Sequence, residues 1–231
     1  MPTPSHAYSD TFRKRTRHDA GCEKFDSHGV DADRFYRGRH RTAGYTFEIT
    51  KDNIAKSEEQ AKLALINQAL PNALYDNAVV NDVTMLPPTP ELGTTRPTAA
   101  YRARLNGVPA ALVLEAIAPD GYSGKITLLI AIRANGELAG VRVVSHIETP
   151  GLGDYIDAAK SDWIKQFDRT SLAHPDSRAW KVKKDGGHFD YMTGATITPR
   201  AIVKAVHKAL RYYEQHGSEI FARPIEPKDP S

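Results

Sequence analysis

The chain has 231 residues, with 31 lysines and arginines against 28 aspartates and glutamates, so its formal net charge is +3. This length suits one sizeable domain with extensions. The small charge excess and the absence of a recognisable binding motif argue against a nucleic-acid-binding protein. The single cysteine, Cys22, excludes an intramolecular disulfide and a cysteine-based metal site. The histidines show no close ligand spacing, so we expect no metal site.

Residues 1–45 are poor in the side chains that build a core. Val30 is the only Val, Ile or Leu among them, so this stretch has little apolar surface to bury. Its arginine clusters suit either a basic arm or a disordered or non-native tail without a partner, and we favour the tail. Nowhere does the chain approach the roughly 20 consecutive apolar residues that span a bilayer. We therefore expect no membrane anchor and no signal peptide in this chain.

The segment 46–98 is predicted to hold a helix and a connecting loop. Asp52 or Asn53 can cap a helix that runs to about residue 68, and Pro71 would stop it. Residues 86–97 are rich in Pro, Thr and Gly and favour a loop. The apolar positions expected to mark the helix face are Ile54, Ala61, Leu65 and Leu70.

Two pairs of apolar segments follow, and each pair is separated by an Asn-Gly dipeptide, which is typical of a tight hairpin turn. The first pair is 101–105 and 108–117, and the second is 125–132 and 138–145. Two consecutive hairpins predict an antiparallel sheet. With helices on either side, the fold class is α+β, and we assign the main domain to residues 99–222.

The remainder of this domain predicts a short helix over 155–167, a short strand over 180–182 and a closing helix. Thr198 is a suitable N-cap for the closing helix, and Pro199 is favoured at its first position. Residues 223–231 are expected to form a loose tail. Apolar side chains recur at helical spacing in the closing helix: Ile202, Val203, Val206, Leu210 and Tyr213.

A motif of small residues runs directly into the closing helix. It reads Asp190-x-x-Thr193-Gly194-Ala195-Thr196. Helix N-termini favour phosphate because their amides are free and the helix dipole is positive there. Gly194 lets a ligand approach the main chain closely. The motif suits either a phosphate held near Thr196 or a plain turn into a capped helix, and the residues alone leave both open.

Four sequence blocks resemble the G subunit of the Rnf-type ion-translocating electron transport complex, and more distantly the C subunit of the sodium-translocating NADH:quinone reductase. The resemblance covers about 52–222, and the blocks are 118–124 (Ala-Pro-Asp-Gly-Tyr-Ser-Gly), 146–154 (His-Ile-Glu-Thr-Pro-Gly-Leu-Gly-Asp), 180–187 (Trp-Lys-Val-Lys-Lys-Asp-Gly-Gly) and 189–200, which contains the motif. It implies an FMN-binding domain whose flavin is joined through its phosphate to the last threonine of the motif, Thr196.

The resemblance also implies which residues surround this flavin. From the motif and the helix start they are Thr193, Gly194, Ala195 and Thr198. The loop 121–124 would hold the phosphate or ribityl chain through Tyr122, Ser123 and Gly124, although it also suits a plain inter-strand loop. The segment 148–153 contributes Glu148, Thr149, Leu152 and Gly153, of which Thr149 and Leu152 would hold the ring, one by a hydrogen bond and the other by packing. The segment also suits a Pro-Gly turn with Asp154 as the N-cap of the next helix, and both roles are compatible.

For several charged and aromatic residues near the motif, the sequence allows more than one role. Lys184, with Lys181 and Lys183, either softens the phosphate charge or forms a solvated face. The resemblance implies that Asp190 is recognised by a Mg²⁺-dependent FAD:protein FMN transferase, and the alternative is a turn cap. His146 and Glu148 would share one strand face, but an electron carrier needs no acid–base pair, so we expect no catalytic residues. The aromatic residues expected in the core or against the flavin are Trp163, Phe167 and Trp180.

The implied function is a redox subunit of a complex that couples electron flow between ferredoxin and NAD to ion transport. Its domain would face the periplasm, beside the other subunits of the complex at the inner membrane. Relatives begin with a hydrophobic anchor before the region that matches 53–71, and this chain departs from them there, so membrane association would come through partner subunits or through an anchor that is missing here. The alternatives are an assembly module without flavin, which the intact motif argues against, and a soluble flavoprotein reductase, for which no Gly-x-Gly-x-x-Gly fingerprint is present.

Overall fold

The structure, a computed structural model, describes residue 57 and residues 60–225. The predicted tail 1–45 and the predicted start of the first helix lie outside the described residues. So does most of the predicted C-terminal tail, of which only 223–225 are described.

Within residues 60–225, five antiparallel strands form a meander in which every strand pairs with its sequence neighbour. They are β1 (Val83–Leu86), β2 (Thr98–Leu105), β3 (Val108–Ala118), β4 (Ile126–Arg133) and β5 (Leu138–Ser145). The predicted hairpins are β2–β3 and β4–β5. At the first turn, Asn106 and Gly107 both have positive φ, 52° and 77°, as a twisted hairpin favours. The α+β class with antiparallel hairpins is therefore confirmed.

The sequence does not predict β1, and its last residue falls in the predicted loop 86–97. This strand has only four residues and is followed at once by two prolines. Its pairing with β2, from Val83 opposite Tyr101 to Leu86 opposite Thr98, holds it in the sheet. Long-range pairing, rather than a local pattern, therefore determines this strand.

Helices cover both faces of the sheet. The first helix, α1, is described over 60–69, and α2 spans Ile197–Ala222. Side chains alternate along β3, so Leu112 and Leu114 join the core under α2, whereas Ala111 and Val113 join the core under α1. Because the central strands are buried on both faces, their sequences are nearly continuous runs of apolar residues.

The predicted end of α1 is confirmed, since the helix stops at residue 69 and Pro71 follows. The predicted apolar face is wrong at Ala61, which is exposed. Ile66 and Ala69 are buried instead. Lys62 pairs with Glu115 of β3 at 3.0 Å, so one side of α1 reaches the sheet through an ion pair.

The predicted helix over 155–167 is wrong. Two short 3₁₀ turns, Asp154–Ile156 and Trp163–Phe167, stand in its place. Between them, the Asp157 carboxylate accepts from the Ala159 amide at 2.9 Å, and the Ser161 hydroxyl accepts from the Trp163 amide at 3.1 Å. Such local side-chain bonds compete with the helical hydrogen bonds, which explains the break. Asp154 accordingly caps no helix.

The predicted strand 180–182 is also wrong, because it is reduced to one isolated bridge between Val182 and Phe189. Its aromatic neighbours behave as predicted for core residues. Phe167 and Phe189 stack with their ring centroids 4.7 Å apart, and Trp180 lies 5.0 Å from Phe189. This aromatic cluster fixes the segment that leads into the motif.

The end of α2 is held by arginine side chains of β2. Arg102, which is fully buried, donates to Asp82 at 2.6 Å and to the carbonyls of Ile220 and Arg223 at 3.2 and 2.5 Å. Arg104 donates to the other Asp82 oxygen at 2.8 Å. Cationic donors at a helix C-terminus satisfy carbonyls that have no partner within the helix.

Candidate functional site

The motif begins with a tight turn over 192–195. The Ala195 amide donates to the Met192 carbonyl at 3.1 Å, and Gly194, third in the turn, has φ +89°. This geometry matches a type II turn, which requires positive φ at that position and so favours glycine. The turn exposes Thr193 and delivers Thr196 to the start of α2.

Thr196, rather than Thr198, occupies the N-cap of α2. The predicted cap is therefore wrong, and Pro199 is the third helical residue rather than the first. Within the described chain, the Thr196 side chain makes no capping hydrogen bond. Thr196 lies at the helix N-terminus and is only 9% exposed. Its hydroxyl does not cap α2.

Glu148 connects three segments around Thr196. It is buried, with 4% exposure, and its Oε1 accepts from the Ser123 amide at 3.2 Å. Its Oε2 accepts from the Thr198 hydroxyl at 2.8 Å. Gly153 lies so close that a Cβ there would come within 2.6 Å of Glu148 Oε2. The Glu148 carboxylate thus connects its own segment, 148–153, to the loop 121–124 and to α2.

His146 and Glu148 do not share the strand face expected for them, because β5 ends at Ser145. Instead, the Glu148 amide donates to His146 Nδ1 at 3.1 Å. The imidazole therefore supports the turn of the chain after β5, while the Glu148 carboxylate points to its partners on the other segments.

These segments enclose a pocket of about 130 Å³. Such a volume is below the roughly 300–1,000 Å³ typical of pockets that enclose a whole small-molecule ligand. Three apolar side chains at its mouth are largely exposed: Tyr122 (69%), Leu152 (48%) and Ile197 (46%). Sequence reasoning missed Ile197. The lining residues are Tyr122, Glu148, Thr149, Leu152, Gly153, Gly194, Ala195, Thr196, Ile197 and Thr198.

The remaining residues expected at the site lie around or away from this pocket. Ser123 reaches it only through its amide bond to Glu148, and Thr193 is exposed on the turn. Gly124 abuts Ile147, whose Cδ1 would be 2.8 Å from an added Cβ. Lys184 is exposed on the 3₁₀ turn Lys183–Asp185 and is not among the lining residues.

Asp190 stands at the surface before the turn. Its carboxylate pairs with Lys183 at 2.5 Å, and both side chains are more than half exposed. Its backbone is held on both sides, since its amide donates to Gln166 Oε1 at 2.7 Å and its carbonyl accepts from Trp163 Nε1 at 2.8 Å. The motif therefore presents an accessible carboxylate on a fixed backbone.

Tyr155 is a site residue that the sequence did not reveal. Its hydroxyl lies 3.3 Å from the Met192 amide, from which it accepts, and 3.4 Å from the Ala195 carbonyl, to which it donates. It thus braces both ends of the turn. Burial, followed by the nearby Glu148 charge, raises the pKa of Tyr155 to about 12, so the hydroxyl stays protonated at neutral pH.

We expect one of the ten tyrosines to ionise only near pH 12. Because this folded-state pKa lies above the ordinary value of 10.0, the Tyr155 contribution to stability is complete below pH 10 and is lost as the pH rises toward 12. Titration of tyrosinate absorbance should show this late step in the wild type but not in Tyr155→Phe. An unchanged titration in the variant would contradict the assignment.

A second prediction concerns Glu148. Replacing it with alanine leaves the Thr198 hydroxyl and the Ser123 amide without partners, which should cost about 1–3 kcal/mol in free energy of unfolding. Glu148→Gln keeps an acceptor and a similar volume, so it should lose less. Urea unfolding of both variants measures the difference, and equal losses would show that the carboxylate does not join these segments.

Among the residues that the structure describes, no three His, Cys, Asp or Glu side chains are grouped to hold a metal ion. Within the same residues, no helix has the length and apolar character needed to cross a membrane.

Comparison with known proteins identifies the family. A family model described as an FMN-binding domain matches residues 121–211. The chain is 45% identical over 180 residues to the G subunit of the ion-translocating oxidoreductase complex of Vibrio atlanticus, covering 78% of this chain and 86% of that protein. The proteins of the same name from Shewanella baltica (47% over 176 residues, covering 76% and 83%) and Pseudomonas aeruginosa (47% over 175 residues, covering 76% and 82%) are similarly close. The chain belongs to this family of G subunits, which confirms the resemblance of its four sequence blocks.

Proposed function

We propose that this chain is an electron-transfer subunit that carries FMN, joined by a phosphoester to Thr196, in an ion-translocating membrane complex. The observation that carries the proposal is the position of Thr196. Its hydroxyl lies in a pocket at the N-terminus of a 26-residue helix and has no capping partner among the described residues. The first amides of a helix have no intrahelical partner, so they suit a phosphate.

The geometry favours Thr196 over the two neighbouring threonines. Thr198 is fully buried, and its hydroxyl is committed to Glu148. Thr193 is exposed on the turn and lies outside the pocket lining. Thr196 alone of the three combines a pocket position with an uncommitted hydroxyl within the described chain.

The residues present fit a flavin that is attached by its phosphate and partly exposed. The small pocket suits the phosphate and part of the ribityl chain, bordered by Gly153, Gly194 and Ala195. Thr149 can hydrogen-bond the ring, and the exposed faces of Tyr122 and Leu152 can pack against it. When bound, FMN supplies reversible one- and two-electron chemistry, while the protein supplies position and electrostatics.

Covalent attachment suits such an open site, because a cofactor held by a small pocket would otherwise dissociate. Membership of the G-subunit family supports a role in electron flow between ferredoxin and NAD, with the domain on the periplasmic side. Attachment requires a FAD:protein FMN transferase, and the exposure of the Asp190 carboxylate supports its recognition by such an enzyme.

The test is co-expression of the chain with and without an active FAD:protein FMN transferase, followed by denaturing electrophoresis. We expect flavin fluorescence on the denatured chain only when the transferase is present. A fluorescent known target in the same cells, with no fluorescence on this chain, would contradict covalent attachment and favour an assembly module.

A further inference from the structure

A second concave surface lies on another flank of α2 and is lined by different residues from the pocket at Thr196. This groove has a volume of about 460 Å³. Its floor contains Val182, Val203 and the stacked rings of Trp180 and His207, whose centroids are 5.2 Å apart at an interplanar angle of 20°. Trp180 Nε1 donates to the Ser171 carbonyl at 3.2 Å, so the aromatic floor is fixed in place.

The charged residues that line the groove are Lys181, Arg200, Lys204 and Asp185, and further cations continue along α2. Four exposed side chains, which we call the cationic stripe, follow one face of α2 at spacings of four, four and three residues: Arg200, Lys204, Lys208 and Arg211. At 1.5 Å per residue, the stripe is about 16 Å long. Lys181 and Lys184 are exposed on the segment that forms the opposite wall.

Only part of this positive charge is balanced locally. Arg200 pairs with Asp185 at 2.5 Å, and Lys204 pairs with Asp120 at 2.6 Å. In the part of the chain that the structure describes, no carboxylate lies within ion-pair distance of the other four cations, Lys181, Lys184, Lys208 and Arg211. Three of these four still act on the paired carboxylates at longer range. After Arg200, Lys184 and Lys181 also lower the pKa of Asp185, and after Lys204, Lys208 also lowers the pKa of Asp120.

We propose that the groove and the cationic stripe bind an acidic segment of a neighbouring subunit. The apolar floor, bordered by Lys181 and by the cationic stripe, is complementary to a chain segment that carries several carboxylates and at least one apolar side chain. Lys181 lines the groove itself, and Lys208 and Arg211 continue the positive charge along α2 beyond it. The length of the stripe matches about five residues of extended chain at 3.3 Å each, whereas a compact anion would meet only one or two of the cations. Since the flavin pocket is lined by other residues, both surfaces can be occupied together.

The first arm of the test uses the purified complex and a zero-length carbodiimide, which joins an amine to a carboxylate in direct contact. We expect cross-links from Lys181, Lys184 or Lys208 to aspartate or glutamate residues of another subunit. Cross-links from these lysines only to Asp120 or Asp185 of the same chain would overturn the proposal.

The second arm measures how much of the subunit remains in the complex during purification at physiological salt. Lys181→Gln combined with Lys208→Gln should weaken retention about tenfold, as for the loss of two interfacial ion pairs. Arg96→Gln combined with Lys125→Gln removes the same charge elsewhere on the surface and should have little effect. Equal losses in both double variants would overturn the proposal.

The third arm separates a protein partner from a lipid surface. Vesicles of phosphatidylcholine with phosphatidylglycerol are the probe, and the expected result is equal binding by the wild type and the Lys181→Gln, Lys208→Gln double variant. Vesicle binding that the double variant loses, without intersubunit cross-links, would overturn the proposal in favour of anionic lipid. Flavin mass, measured in every sample, reports separately on Thr196.

Discussion

Thr196→Val is expected to abolish covalent flavin attachment completely. Valine has nearly the shape of threonine but no hydroxyl, so no phosphoester can form. The Thr196 side chain makes no capping bond to α2 within the described residues, and its replacement should therefore leave the fold intact. Intact mass after co-expression with the transferase measures the effect, as the gain of FMN minus water in the wild type and no gain in the variant.

Thr193→Val is the matched control, because the same atoms are exchanged on the exposed turn. It should keep the mass gain. Circular dichroism of both variants checks that each is folded. A mass gain retained in folded Thr196→Val, or lost only in Thr193→Val, would contradict attachment at Thr196.

Arg102→Met is expected to cause the largest loss of stability, about 3–5 kcal/mol, as for removing one partner of a buried ion pair. The guanidinium is buried and donates to Asp82, to the Ile220 carbonyl in α2, and to the Arg223 and Pro224 carbonyls just beyond the helix, the last at 3.4 Å. Methionine fills much of the volume but donates no hydrogen bond. It therefore leaves the Asp82 carboxylate with one arginine and the helix end without its buried cation.

Arg104→Met provides the comparison. The Arg104 side chain is 25% exposed, and it shares the same carboxylate at 2.8 Å, so its loss should cost clearly less. Urea unfolding followed by circular dichroism gives both free energies. A cost for Arg102→Met equal to or below that for Arg104→Met would show that the buried guanidinium does not anchor α2.

The elements that local chemistry determines were predictable from the sequence. The Asn-Gly turns and the apolar runs predicted both hairpins, and the spacing of Ile202, Val206 and Leu210 predicted α2, whose core-facing side they form. The short strand β1 and the broken segment 154–167 were not predictable in this way. The first depends on pairing with a distant strand, and the second on Asp157 and Ser161 bonds that override an apparently helical pattern.

In the candidate site, too, the local features were predictable from the sequence and the long-range contacts were not. The motif predicted a turn with glycine at its bend and a helix start beside Thr196, because these are local properties. The bond between Glu148 and Thr198 joins residues 50 positions apart, and the brace from Tyr155 to Ala195 spans 40. No short sequence pattern encodes such contacts. From local pattern alone, the sequence therefore predicts that Thr198 caps the closing helix, and it gives Tyr155 no role beyond membership of a short helix.

The most direct test of the account is to locate the flavin on the chain. Cleavage after Lys184 and Arg200 releases one peptide that contains Thr193, Thr196 and Thr198, and fragmentation of this peptide from the co-expressed protein shows which residue carries the added mass. The account predicts FMN minus water on Thr196. The same mass on Thr193 or Thr198, or an unmodified peptide from cells in which the transferase modifies a known target, would contradict it.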